Sequence, residues 1–277
     1  LVIVLVNGFC YSQQNHTDSL LKFIKEAKSD TNKINLLNNL SYQCYQNGNY
    51  DYEMKYAKSA LSLSKKLKWK KGIANSLKNL GGAYQDLGNH KIALKYYNLS
   101  LNYFRKINYQ SGIANTYHSI GLLFYETGDS PAALKNYFYS LKIKKEINDL
   151  PGIASTYNNL GLVYYRQGDY VKALKNHFAS LKIKEKIGDK FEMAASYHNI
   201  GIIHMDQGNY DQALKYFYIS IEMKKLIGDE RGIATLLYSI GNVYYMQSNY
   251  TEALKNNLQC LEIMEKIGDK YGMSYGY

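Results

Sequence analysis

The chain is 277 residues long, carries a net charge of +11 and holds 30 tyrosines but only two prolines, Pro131 and Pro151. So few helix breakers, set among many Leu, Ala and Lys residues, argue for an all-helical protein. Residues 13–277 contain no run of about 18 apolar residues, which excludes a membrane-spanning helix there.

Residues 1–12, LVIVLVNGFCYS, read as the end of a signal peptide. An apolar run is followed by the small residues Cys10 and Ser12, and cleavage is expected after Ser12. Two other readings stay open: a lipoprotein that uses Cys10, against which bulky Phe9 speaks, and a short apolar helix. Residues 13–30 supply one capping helix, from about Asp18 to Lys28. After cleavage only Cys44 and Cys260 remain. They lie more than five repeats apart, so one solenoid keeps them as two buried thiols.

A block of forty residues then recurs, at 31–70, 71–110, 111–150, 151–190, 191–230 and 231–270. Gly81, Gly121, Gly161, Gly201 and Gly241 keep that spacing, and so do Ala93, Ala133, Ala173, Ala213 and Ala253. A fixed period of this size means stacked supersecondary units and not one globular core.

Residues 151–190 serve as the example. Pro151 sits in the first turn of a helix that runs through IASTYNNLGLVYYRQ. Gly168 ends it in a left-handed conformation, and Asp169 caps the second helix, YVKALKNHFASLKIKEKI. Gly188 and Asp189 repeat this stop and start, with Glu192 placed for a capping box. Gly161 and Ala173 are the small residues expected to let the two backbones approach. Ile153, Tyr157, Leu160 and Tyr164 form the buried stripe of the first helix; Leu174, Phe178, Leu181 and Ile183 serve the second. The first copy departs most, with Ser41 for the glycine and Glu53 for the alanine. Residues 271–277, YGMSYGY, open a seventh copy.

These residues match the tetratricopeptide repeat. Its pattern appears as Tyr157, Leu160-Gly161, Tyr164, Gly168-Asp169-Tyr170 and Ala173-Leu174, and the match covers residues 31–270. The resemblance implies an all-α fold, a right-handed superhelix (α-solenoid) of about six helix-turn-helix repeats. The repeat here has forty residues, longer than the family's usual unit, and resembles the branch found in G-protein-regulator scaffolds and bacterial regulators. An exported N-terminus before near-identical repeats also resembles the sensory region of membrane signalling proteins of the Bacteroidota. In those, a histidine kinase, nucleotide cyclase or DNA-binding module follows a transmembrane helix.

The family's first helices line a concave groove. The residue two before each repeat glycine is Asn39, Asn79, Ser119, Asn159, Asn199 or Ser239, an amide and hydroxyl ladder suited to a peptide backbone. His118, Asn158 and His198 stand one residue earlier, and Tyr125, Tyr165 and Tyr245 four residues after the glycine. An alternative reading has the ladder bridging neighbouring repeats and the tyrosines packing the core. Both readings stay open. Lys78 and Arg166 are the only obvious candidates for a carboxylate clamp.

The basic charge is spread as a ladder: Lys55, Lys95, Lys135, Lys175, Lys215 and Lys255 stand one per repeat. With the lysines of SLKIKKEIND and SLKIKEKIGD they read mostly as a solvated outer face, not a nucleic-acid site. His118 and His198 lie two repeats apart, about 20 Å at about 10 Å per packed layer, too far for one metal. No catalytic motif appears and no cofactor is expected. The expected partner is a protein or peptide, with no specific nucleic acid, a homodimer as one option, and a membrane only through a segment beyond Tyr277. Three functions compete: extracytoplasmic sensor of a signalling protein, exported adaptor, and intracellular regulator of a transcription factor or kinase.

Overall fold

The computed structural model describes residues 28, 30–46 and 49–269. The expected signal peptide and the start of a seventh copy lie outside these residues, as does nearly all of the expected helix over 13–30. Every regular element among the described residues is an α-helix, and the helices follow one another in pairs. The first pairs are α1 (Thr31–Gln46) with α2 (Tyr50–Lys66), α3 (Lys70–Asp86) with α4 (His90–Lys106), and α5 (Gln110–Glu126) with α6 (Ser130–Glu146). They belong to one compact unit that ends at residue 149. A second unit, from residue 150, holds α7 (Leu150–Arg166) with α8 (Tyr170–Ile187), α9 (Lys190–Asp206) with α10 (Tyr210–Ile227), and α11 (Glu230–Met246) with α12 (Tyr250–Ile267).

Turn chemistry sets the helix lengths. A residue with positive φ stands every twenty residues, from Lys68 and Gly88 to Ser248 and Gly268. At each, the backbone enters the left-handed region and the helix stops. Five of the helices start on a side-chain cap: the side chains of Asp129, Asp169, Asp189, Asp229 and Asn249 accept from the backbone N–H three residues on. The capping box expected at Asp189 is only half formed. Asp189 accepts from Glu192 N at 3.0 Å, but the Glu192 carboxylate turns to Lys184 Nζ, also at 3.0 Å.

In four of the six pairs the core is a ring seated on a glycine. A methyl carbon at Gly81, Gly121 or Gly201 would stand within 2.7 Å of the ring of Tyr97, Tyr137 or Phe217 respectively. At Gly161 the ring is His177. The glycine therefore makes room for a side chain sixteen residues on. At Gly241 the nearest group is again the side chain sixteen residues on, Asn257, with Ala253 O behind it at 3.3 Å, so close backbone approach, the expected reason, is not the tightest contact at any of these five glycines. Serines of the second helices add a polar tie: Ser100, Ser180 and Ser220 donate to the carbonyls of Ala74, Ala154 and Ala194, each at 2.8 Å.

Two expectations about the second helices need correction. Phe178 is 39 % exposed. The stripe facing the first helix runs through Ala173 and His177, so Phe178 lies about 100° further round. Lys144 and Lys184 are not on the solvated face; both are almost fully buried. They occupy the column that holds Phe104 and Met264, and their ammonium groups reach polar partners from inside the helix contacts. The lysine ladder from Lys55 to Lys255 is exposed throughout, as expected. Cys44 and Cys260 are both buried free thiols.

Candidate functional site

Within each unit, first helices of neighbouring repeats touch one another: α1 with α3, α3 with α5, and α9 with α11. One face of each unit is therefore made of first helices, and the polar ladder lies on it.

The ladder joins repeats in both units. In the first, Asn79 Nδ2 donates to Asn38 O at 3.0 Å and to Asn38 Oδ1 at 3.3 Å, and Ser76 Oγ donates to Asn38 Oδ1 at 3.1 Å. In the second, Asn199 Nδ2 donates to Asn158 Oδ1 at 3.3 Å. His198 Nε2 lies 3.2 Å from Ser239 Oγ, whose own hydrogen goes to Thr235 O. That arrangement puts the His198 hydrogen on Nε2. Ser119 bonds within its own helix, to Asn115 O at 3.2 Å. Asn39 is exposed; Asn79, Ser119, Asn159 and Asn199 are half-buried and Ser239 is buried.

His118, Asn158 and His198 lean on the core rings nineteen residues later. His118 meets Tyr137 edge-on at 5.3 Å and His198 meets Phe217 at 5.6 Å. Asn158 Oδ1 lies 3.2 Å from His177 Nδ1. Desolvation dominates the electrostatics here, because a charged imidazole loses its water. It holds His118 at about 3, helped by Lys144 and Lys78, and His177 and His198 at about 4, helped by Lys184 and Lys224 respectively. All three are neutral at pH 7.

The tyrosines differ. Tyr125 is half-buried, and Tyr165 is half-buried with its hydroxyl on Asp206 Oδ2. Tyr245 is 65 % exposed and packs edge-on to Tyr250 at 5.7 Å. Of the two clamp candidates, Lys78 is half-buried, with its pKa lowered by desolvation, and Arg166 is exposed.

The sequence reading missed the buried lysines. Lys184 Nζ donates to Ser196 Oγ at 2.9 Å and to Glu192 O at 3.1 Å. Lys144 Nζ lies 3.5 Å from His118 Nδ1, and desolvation is the main cause that lowers its pKa to about 8. The signal was present in the column Phe104, Lys144, Lys184, Lys224, Met264, which places lysines where other copies carry core residues.

The tetratricopeptide repeat family profile matches residues 72–146, 152–217 and 192–266, more than half of the chain. The chain belongs to the tetratricopeptide repeat family. No curated protein shows significant sequence similarity to it. Among solved structures it is similar to the tetratricopeptide repeat sensor-bearing STAND signal transduction ATPase of Pyrococcus horikoshii, at 18 % identity and a TM-score of 0.72, over 99 % of this chain and 45 % of that one. It is also similar to a Rap protein complexed with competence and sporulation factor, at 14 % identity and a TM-score of 0.68, over 94 % of this chain and 77 % of that one. BtubC of P. vanneervenii matches at 17 % identity and a TM-score of 0.65, over 78 % of this chain and 92 % of that one. At these identities the likeness concerns the fold. The tetratricopeptide repeats of this chain form an all-α protein-interaction scaffold.

Proposed function

We propose that the first-helix face takes an extended or helical segment of a partner protein, and that the chain serves as the extracytoplasmic sensor region of a bacterial signal-transduction protein. The supporting observation is the linked row Asn158, Asn199, His198 and Ser239. Each amide has more donor and acceptor capacity than these bonds use. Groups already fixed by their neighbours lose little freedom when a peptide backbone pairs with them. Tyr165 and Tyr245 flank the row with ring surface suited to a partner's apolar side chains. The signalling part is supported by the signal-peptide reading of residues 1–12 and by two structural neighbours, one with a tetratricopeptide repeat sensor and one in complex with a signalling factor.

The test is a displayed peptide library selected on the protein, with the best peptide titrated against the double variant Asn159→Ala, Asn199→Ala. The expected loss is about tenfold in Kd, or about 1.4 kcal/mol, with unchanged helicity. A variant that melts earlier yet keeps its peptide affinity sinks the groove reading and leaves the amides as bridges. For the location, the full-length parent in its native host should expose the repeats to protease added to the periplasm; complete protection sinks the sensor placement.

A further inference from the structure

Three departures from the repeat meet at one place in the first unit. The slot filled by Ala93, Ala133, Ala173, Ala213 and Ala253 holds Glu53. The slot filled by Leu122, Leu162 and Ile202 holds Gly82, and the slot filled by Tyr125, Tyr165 and Tyr245 holds Gln85. Together they remove bulk and add polarity around one cavity of about 240 Å3, which Glu53, Gly82, Gln85 and Asp86 line on one side. A methyl carbon on Gly82 would lie 3.4 Å from Glu53 Oε1 and 3.8 Å from Tyr97 Oη, so a larger side chain there would fill the space.

Glu53 is 3 % exposed. Neither its Oε2 nor Asp86 Oδ2 is reached by a donor among the described residues. Both carboxyls line the same cavity, where burial and a neighbouring negative charge favour their protonated forms. Burial and the nearby Asp86 push Glu53 up to about 8; burial and the nearby Glu126 push Asp86 up to about 6. A buried carboxyl without donors is costly, and packing does not call for one here, since alanine closes the same slot in five other copies. Charge around the cavity is divided. Lys78 and His118 line it too, and Lys78 stands two helical turns before Asp86 on α3, about 12 Å along the axis.

We propose that this cavity is a recognition pocket for a primary ammonium group, borne by a lysine side chain or the free N-terminus of a bound peptide, held between the carboxylates of Glu53 and Asp86. An ammonium brings three donors to oxygens that have none. It replaces a proton held on the buried carboxyls, so binding releases a proton and strengthens as pH rises from about 6 to about 8. The titratable groups around the pair are Tyr42 and Cys44 on α1, Lys78 on α3, Tyr97 on α4, and His118 and Glu126 on α5. His118, at about 3, stays neutral over that range. The inference rests on the peptide-binding reading only for the source of the amine; the pocket is built from first-unit residues alone.

The experiment titrates n-butylamine, standing for a lysine side chain, and alaninamide, standing for a peptide N-terminus, into the 15N-labelled protein. Saturable shifts are expected at the Gly82 amide and the Gln85 side-chain amide, with butylamine binding about tenfold tighter at pH 8 than at pH 6. The shifts should vanish in Glu53→Ala and in Gly82→Leu. Both variants install residues that other copies already carry at those slots, and either one alone is decisive if the other fails to fold. The amine that binds more tightly names the source. No saturable shift, or shifts that persist in a folded variant, overturns the pocket. Failure here with the Asn159 and Asn199 effect intact leaves the groove reading standing, and the reverse result separates them equally well.

Discussion

The imidazole of His177 lies over Gly161 so closely that a methyl carbon on the glycine would stand 2.7 Å from Nε2. The same relation joins Gly81 to Tyr97, Gly121 to Tyr137 and Gly201 to Phe217. Gly161→Ala is therefore an overpacking change. It should destabilise the protein by about 1–3 kcal/mol in urea unfolding. Removing the ring with His177→Ala leaves room for the methyl group, so the two changes should couple by about 1–2 kcal/mol in a double-mutant cycle. Additive effects would show that the ring is not what the glycine accommodates.

Stability should fall in mild acid. His118, His177 and His198 have folded pKa values of about 3, 4 and 4, below the ordinary histidine value of about 6.5. The unfolded chain takes up these protons first, so their contribution is complete above pH 6.5 and is lost as pH falls toward 4. His177→Phe, which copies Phe217, should flatten the drop in Tm between pH 7 and pH 5. An unchanged slope would mean that His177 titrates normally in the folded state.

Glu53 and Asp86 act with the opposite sign. Their folded values, about 8 and about 6, lie above the ordinary carboxyl range, so the folded state holds protons that the unfolded chain has already released. Their contribution is fully present below about pH 4 and is lost as pH rises toward 8. Glu53→Gln should make the protein relatively more stable at pH 8 than at pH 5. An equal effect at both values would show that Glu53 is not held protonated in the folded state.

Lys184 sits in a column where Met264 also fits. Its partner Glu192 keeps about half of its side chain in water, and Ser196 Oγ still donates to Glu192 O without the lysine. Lys184→Met should therefore leave the urea midpoint unchanged or raise it, whereas Lys184→Ala should cost about 2–4 kcal/mol through the cavity it opens. A large loss in the Met variant would show that the ion pair itself is required.

Much of this was legible in the sequence, because the period exposes each column. Glycines with positive φ, aspartate caps and the alanine row follow from local chemistry that one copy displays as well as six. The role of Gly161 was not legible: close backbone approach and a ring seat both ask for glycine, and only the packing distinguishes them. Lys144 and Lys184 misled because lysine near a helix end usually reaches water; burial came from the neighbouring repeat, which local pattern does not see. The polar ladder could be placed but not assigned, since an amide that bridges repeats and an amide that binds peptide have the same spacing. The Glu53–Asp86 pair lies 33 residues apart, off the forty-residue period, so column reading passes over it.

The ring and its glycine lie within one forty-residue copy, sixteen residues apart. Loss or duplication of any of the four copies between residues 71 and 230 thus carries both members together, and each new junction keeps a residue of positive φ at the same register as the old one. Such a chain tolerates changes of length at the level of the gene far better than changes of a single side chain. A version lacking residues 192–231 should still unfold cooperatively, one register shorter, while Gly161→Ala disturbs a protein of full length.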